Sequence, residues 1–453
     1  MLSKRMRDGG KGAENNALRI IAFLVGLFSS MPLFEIFGIG VYAWLVILLT
    51  LGILLTRQFR VSSQLPFVLF SIVSLISFII SILSNLPGTY LKDNINAFIN
   101  LALILIVSGS ALERSGTMSD KVVSGIKLAA KIQAIWIIIQ YILYNFFGMD
   151  INHVIFNLLL GISEQTSQYK ATGYIPTGLC WNAGGIAAAL IIGFSLESGL
   201  AWRLIIVISG ILTQSRTILI GFCLLLLGEF LFFSKNNNLL SKIKLSVRRC
   251  RVGIVVLAVV MLGAMLLTDF GALAGSVAHD ILNKVLFSLS LNGGYGHAST
   301  AAHAGYYLNL PSLLSSMGIL NLLFGYGLNC SGFPYTNLTG QYAQVSSWCV
   351  ESDPVNTLLS TGLFGLITFY AWIGYLIYRC WKRDNNKETA LILITIAVIG
   401  IFYNVQSVLY SWLILAEIAL AYQAAGTSCN TWEILKNMHL RLRIKFGNVK
   451  NAS

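Results

Sequence analysis

Charge is what this chain has little of. Asp, Glu, Lys and Arg fill 11% of its 453 positions, where a soluble domain carries about 25%. Its mean hydropathy is +0.74, and 56% of its residues are hydrophobic. So few charges cannot cover a water-exposed surface, so a soluble globular enzyme is excluded and chain length says nothing about domain number. Other signals are missing too. There is no C-x-x-C pair and no His cluster with metal-ligand spacing, so neither a metal nor a cofactor is expected. No internal repeat and no low-complexity tract is detectable. The basic start (Lys4, Arg5, Arg7, Lys11) leads into an apolar run with no small-residue cleavage site, and that run is expected to remain as a first span. The formal charge of +13 does not point to nucleic acid, because the cations sit in short clusters between apolar runs, as in cytoplasmic loops.

What is present is a series of apolar runs of membrane length, about 20 residues each. Twelve are read, at 17–34, 36–56, 65–84, 95–112, 126–147, 173–195, 200–214, 216–234, 252–270, 356–378, 389–404 and 407–424. Gln214-Ser215-Arg216 is either a tight turn between two spans or a break within one bent element. The expected fold is an all-α polytopic membrane protein. It comprises a bundle of nine spans (1–267), a large loop (268–355) holding short amphipathic helices, three further spans (356–424) and a basic tail (425–453). Alternate gaps carry the Lys and Arg clusters: Arg57/Arg60, Arg114/Lys121/Lys127, Arg203, Lys242 to Arg251, and Arg379 to Lys387. By the positive-inside rule both termini are cytoplasmic and the large loop is external. Ile281–Leu291 and Tyr306–Leu323 have helix-like apolar spacing and are expected at the outer membrane boundary. Gly293-Gly294-Tyr295-Gly296 and Gly325-Tyr326-Gly327 mark turns. Cys330 and Cys349 share the loop, either as a disulfide or as two thiols.

The candidate site residues lie on this external face. Arg216 stands alone where Arg is otherwise absent, and its planar donor fork suits a diphosphate; the bland alternative is a snorkelling Arg. Lys170, before the Gly- and Pro-loosened stretch ATGYIPTG, would be a second clamp on the same group, though a loop Lys is more often simply solvated. Asp353 precedes Pro354 and reads as a helix cap, and it is also a candidate for binding the diphosphate or sugar. Glu351 has no such structural reason and suits a general base on a sugar hydroxyl. Its bland reading is a loop anion paired with Lys284 or Arg216. His297 and His303 flank a small-residue turn and rank below Glu351, as base or phosphate partner. Glu229 and Glu417 read as interfacial or helix–helix contacts in the cytoplasmic half, too far away to share this site.

In order along the chain, YKATGYIPTG (169–178), LTQSRTILIGF (212–222), NLLFGYGLN (321–329) and ESDPVNTLLSTGLFGL (351–366) together resemble the O-antigen polymerase and ligase superfamily of bacterial envelopes. The resemblance covers much of residues 165–380; the first spans match only in hydropathy. It implies a glycosyltransferase of the inner membrane that acts on undecaprenyl-diphosphate-linked glycans at the periplasmic face, with a chain-length regulator as an expected partner. Counting back from Gly362, Glu351 stands where ligases carry a His, which is more like the polymerases (the Wzy type). The large loop, however, has no Arg, whereas polymerases usually show arginines in both main external loops. Only Arg216, Lys170 and Glu351 are therefore carried over. The alternatives are a ligase transferring glycan to lipid A-core, a lipid-linked glycan flippase or transporter, and a scaffold subunit.

Overall fold

The computed structural model describes residues 16–31, 34–36, 39–41, 61–62, 64–84, 86–112, 116–163, 165–170, 173–181, 183–213, 215–233, 305–339, 350–382, 387–405 and 410–425. These are mostly helical. In chain order the helices are α1 (Asn16–Phe28), α2 (Leu65–Leu83), α3 (Gly88–Val107), α4 (Gly116–Phe147), α5 (Ala183–Leu196), α6 (Leu200–Leu212) and α7 (Arg216–Phe233). After the part of the large loop that is not described come α8 (Leu310–Ser316), α9 (Ile319–Phe324), α10 (Gly332–Thr339), α11 (Asp353–Lys382), α12 (Lys387–Phe402) and α13 (Tyr410–Ala425). Among the described residues α2, α3, α4 and α11 are long and apolar enough to cross a membrane.

The faces of α2 identify the solvent. Its buried residues are Phe67, Phe70, Ser74, Ser77 and Ser81, at alternating steps of three and four, which makes one seam. Its exposed residues include Leu69, Ile72, Leu75, Ile79 and Ile82. The serines point in and the aliphatic residues point out. Water would impose the reverse; a lipid surround gives this arrangement, since hydroxyls then find partners only inside the bundle. The seam packs on α11. Phe67 stacks on Trp372 with ring centroids 5.0 Å apart, and Phe70 lies 5.1 Å from Phe369. The Trp372 indole N–H donates to Gln64 Oε1 at 3.3 Å.

Several boundaries differ from the sequence-based expectation. The span expected at 36–56 begins as an antiparallel hairpin, β1 (Phe34–Ile36) on β2 (Ile39–Val41), so the chain is not purely helical. A second hairpin pairs β3 (Gln168–Lys170) with β4 (Gly173–Ile175). The span expected from 173 accordingly starts only at Ala183; the hairpin and a short turn at Gly178–Cys180 precede it. The span expected from 95 starts at Gly88 and closes in a wide π-type turn at Ser108–Leu112. Between 200 and 234 there are two helices separated by a turn, not one bent element. The expected helix at 306–323 is two short ones, α8 and α9. The expected span 252–270 and the stretch 281–291 lie outside the described residues.

Helix α11 is broken. Gly362 has φ +69° and ψ −171°, a conformation essentially confined to glycine. The break frees carbonyls in the turn before it, and those of Leu359 and Ser360 find donors. Tyr326 N–H donates to Leu359 O at 2.9 Å and Gly327 N–H to Ser360 O at 2.8 Å. Ser77 Oγ–H also donates to Ser360 O at 2.7 Å. The contact is reciprocal. A Cβ on Gly362 would lie 2.2 Å from the Leu323 carbonyl carbon, and one on Gly325 would lie 2.2 Å from that of Ser360. Two backbones therefore touch with no side chain between them. Gly362→Ala is expected to cost about 3 kcal/mol or more, from a forbidden backbone angle and a clash with main chain. Gly374→Ala, on the same helix with nothing within 4 Å, is expected to be neutral or to gain up to about 1 kcal/mol. Thermal unfolding of the two variants in detergent checks both.

Candidate functional site

The break sets off Asp353–Thr361 as a short helix at one end of the bundle. Ser352, not Asp353, holds the cap position, since its carbonyl accepts the Asn356 N–H at 2.8 Å. Asp353 is the first helical residue. Its carboxylate turns sideways into the bundle and is fully buried; a Cβ on Gly400 would lie 2.3 Å from Asp353 Oδ2. Glu417, on α13, is also fully buried, and the Asp353 charge acts on it. This corrects the expectation that Glu417 is remote from the external-loop residues. Glu417 is a neighbour of Asp353 because α13 packs beside α11, a relation sequence distance does not report.

Residues 350–352 are pinned from several directions. Val350 N–H donates to Ser331 Oγ at 2.8 Å, and Val350 O accepts from Asn404 Nδ2 at 3.1 Å. Ser331 Oγ–H in turn donates a hydrogen bond to Asn356 Oδ1, which also accepts from Ser360 Oγ at 3.3 Å. Tyr307 OH donates to Ile401 O at 2.6 Å and meets Ser352 Oγ at 2.7 Å. Burial pushes the Tyr307 hydroxyl above its ordinary pKa, the Asp353 charge adds to this, and the Ser352 hydrogen bond opposes it. Glu351 lies between these fixed neighbours and is half-buried. The result is a carboxylate on a backbone that cannot drift, the arrangement a general base needs.

The second polar cluster is the segment 148–181, which folds back along α4. Gly178 N–H donates to Gln140 Oε1 at 2.8 Å and Leu179 N–H to Gln133 Oε1 at 2.6 Å. These glutamines lie seven and fourteen residues before the helix ends at Phe147, or about 10 and 21 Å along the axis. The returning chain therefore enters the bundle, and irregular backbone at that depth is tolerated only where protein satisfies it. Asn152 Nδ2 donates to Thr166 O at 2.9 Å and Gly178 O at 3.0 Å, and Asn152 Oδ1 accepts from Trp136 Nε1 at 2.9 Å. Above this, Tyr169 and Tyr174 are cross-strand partners and both hydroxyls donate to the Asp150 carboxylate, at 3.0 and 3.3 Å. Tyr144 stacks on Tyr174 at 4.3 Å.

The two candidate cations are placed by their backbones. Lys170 ends β3, next to the tyrosine cluster, and Arg216 is the first residue of α7. His297 and His303 lie outside the described residues, as does Cys349. The Cys330 thiol turns inward to Tyr90 O at 3.3 Å. The structure thus brings Glu351 and Asp353 to one end of α11. Sequence reasoning missed the Tyr144–Tyr169–Tyr174–Asp150 group. Its one legible sign was two tyrosines spaced symmetrically about a two-residue turn in YKATGY.

The inward serines, outward aliphatics and buried carboxyl groups define a helical membrane-embedded protein. No protein-family model matches the chain, and no curated protein matches it.

Burial first, then the hydrogen bond to Asp150 and its charge, raise the Tyr169 pKa from 10.0 to about 12. The folded value is the higher one, so the stability Tyr169 contributes is complete below about pH 10 and is lost as pH rises towards 12. A wild-type minus Tyr169→Phe difference titration, followed by tyrosinate absorbance, is expected to have its midpoint near the upper value. A second variant, Gln133→Leu, strands the Leu179 N–H and is expected to lower stability by about 1–3 kcal/mol in thermal unfolding.

Proposed function

We propose that this chain polymerises undecaprenyl-diphosphate-linked oligosaccharide repeat units, into O-antigen or a capsule-type polysaccharide, at the periplasmic face of a bacterial inner membrane. The observation that carries the reading is Glu351, a half-buried carboxylate held between pinned neighbours within the stretch ESDPVNTLLSTGLFGL that resembles the polymerases. In this reading the chain crosses the membrane twelve times, both termini are cytoplasmic, and the loop 268–355 is periplasmic.

The reaction is glycosyl transfer. A hydroxyl oxygen of one lipid-linked unit bonds to the anomeric carbon of the other chain, and the bond from that carbon to the diphosphate oxygen breaks. Glu351 takes the hydroxyl proton, a role worth about 10²–10⁴-fold in rate. Undecaprenyl diphosphate departs with the electron pair. Arg216 and Lys170 offset its charge. Arg216 also begins an eighteen-residue helix, whose N-terminal dipole favours an anion. His297 and His303 are further phosphate or proton partners. Asp353 is buried, so it acts by holding the short helix in place; it does not touch substrate.

Complementation of a polymerase-null host tests this, with surface glycan resolved on a gel. Glu351→Gln and Arg216→Ala, at wild-type expression, are each expected to lose the ladder and leave core plus a single repeat unit. Loss of the single unit as well would point to a ligase or flippase. An intact ladder from both variants would remove the catalytic assignment.

A further inference from the structure

The other end of α11 presents a buried charge with no ion-pair partner among the described residues. Arg379 sits in its last turn and is 2% exposed. Its guanidinium carbon lies 5.0 Å above the Tyr422 ring of α13. Its Nε and Nη1 are buried and have no hydrogen-bond partner. The ion pairs Lys131–Glu197 and Arg203–Glu229 do not involve Arg379. A snorkelling arginine would place its head in water; this one does not. A ring face attracts the charge but offers no lone pair to the N–H groups.

Among the described residues two further cations follow in the chain, with the carboxylate of Glu388 next to the second of them in the first turn of α12. Lys382 Nζ lies 5.7 Å from the Tyr378 ring, and Lys387 Nζ, at the start of α12, lies 5.6 Å from the Trp381 ring. Three cations therefore stand at the ends of α11 and α12, each over an aromatic ring. Such a place calls for an anion with several strong acceptor oxygens, and phosphate has them. Basic pockets between membrane helices bind anionic lipid headgroups in this way.

We propose that the Arg379 end of α11, with Lys382 and Lys387, is a binding site for the phosphate of an anionic membrane lipid. The proposal does not depend on the polymerase reading, because it concerns the opposite end of the helix and is tested by binding alone.

The test uses the full chain purified in neutral detergent. Phosphatidylglycerol, cardiolipin, phosphatidylcholine and inorganic phosphate are added separately, and adducts are counted by native mass spectrometry alongside the thermal midpoint. Phosphatidylglycerol and cardiolipin are expected to bind and to raise Tm, while phosphatidylcholine does neither. Arg379→Gln is expected to bind phosphatidylglycerol at least about tenfold more weakly, from loss of charge-assisted hydrogen bonds. Arg379→Lys, which keeps the charge without the fork, is expected to be intermediate. If Arg379→Gln does not fold, Lys382→Ala/Lys387→Ala decides, with a several-fold weaker preference expected. Equal binding of phosphatidylglycerol and phosphatidylcholine, or no change in these variants, would overturn the proposal. Stabilisation by inorganic phosphate with none from either anionic lipid would overturn the lipid assignment.

Discussion

The close passage of Gly325 against Gly362 is the contact on which the rest of this structure depends. In an apolar solvent a broken helix is tolerable only if something donates to the carbonyls it frees. Here the turn after α9 supplies two backbone donors and α2 supplies the Ser77 hydroxyl. Neither partner has a side chain at the crossing, so main chain meets main chain. Through this contact a segment from the large loop becomes part of the membrane bundle, and the orientation of the Asp353–Thr361 helix is set.

That short helix carries the polar cluster. Asn356 and Ser360 lie on it; Ser331, Asn404 and Tyr307 come from other parts of the chain and bond to residues 350–360 or to α12 beside them. The pinning of Val350 and Ser352 defines where Glu351 stands, and the burial of Asp353 against Gly400 locks α11 to α12. The other side of the bundle follows the same logic. Gln133 and Gln140 on α4 give the returning loop the acceptors that water would otherwise provide. In both places side-chain amides and hydroxyls stand in for a solvent that is absent.

The two ends of α11 have opposite characters. One gathers carboxyl groups, Glu351, Asp353 and the neighbouring Glu417; the other gathers Arg379, Lys382 and Lys387. Acidic groups at the N-terminal end and basic groups at the C-terminal end complement the helix dipole. The proposed chemistry uses the first end, and the proposed lipid contact uses the second. Between them the Phe67–Trp372 and Phe70–Phe369 contacts join α11 to α2.

Composition and apolar run length alone determined that this chain is helical and embedded in lipid, and most helix positions followed, because hydropathy is a local property that a lipid solvent reads directly. Gly325-Tyr326-Gly327 was legible as a turn, and Glu351 and Asp353 as residues placed just before a helix. The tertiary structure decided what these do. Gly362 looks like any other small residue of a span until Leu323 is set against it. Asp353 reads as a cap, yet Ser352 takes that place and the Asp353 carboxylate turns to Gly400. Glu417 belongs beside Asp353 only because α13 packs there, and Arg379 reads as an ordinary boundary cation until burial strips it of water. Each of these depends on which groups from distant parts of the chain share a desolvated space, and no local pattern of residues records that.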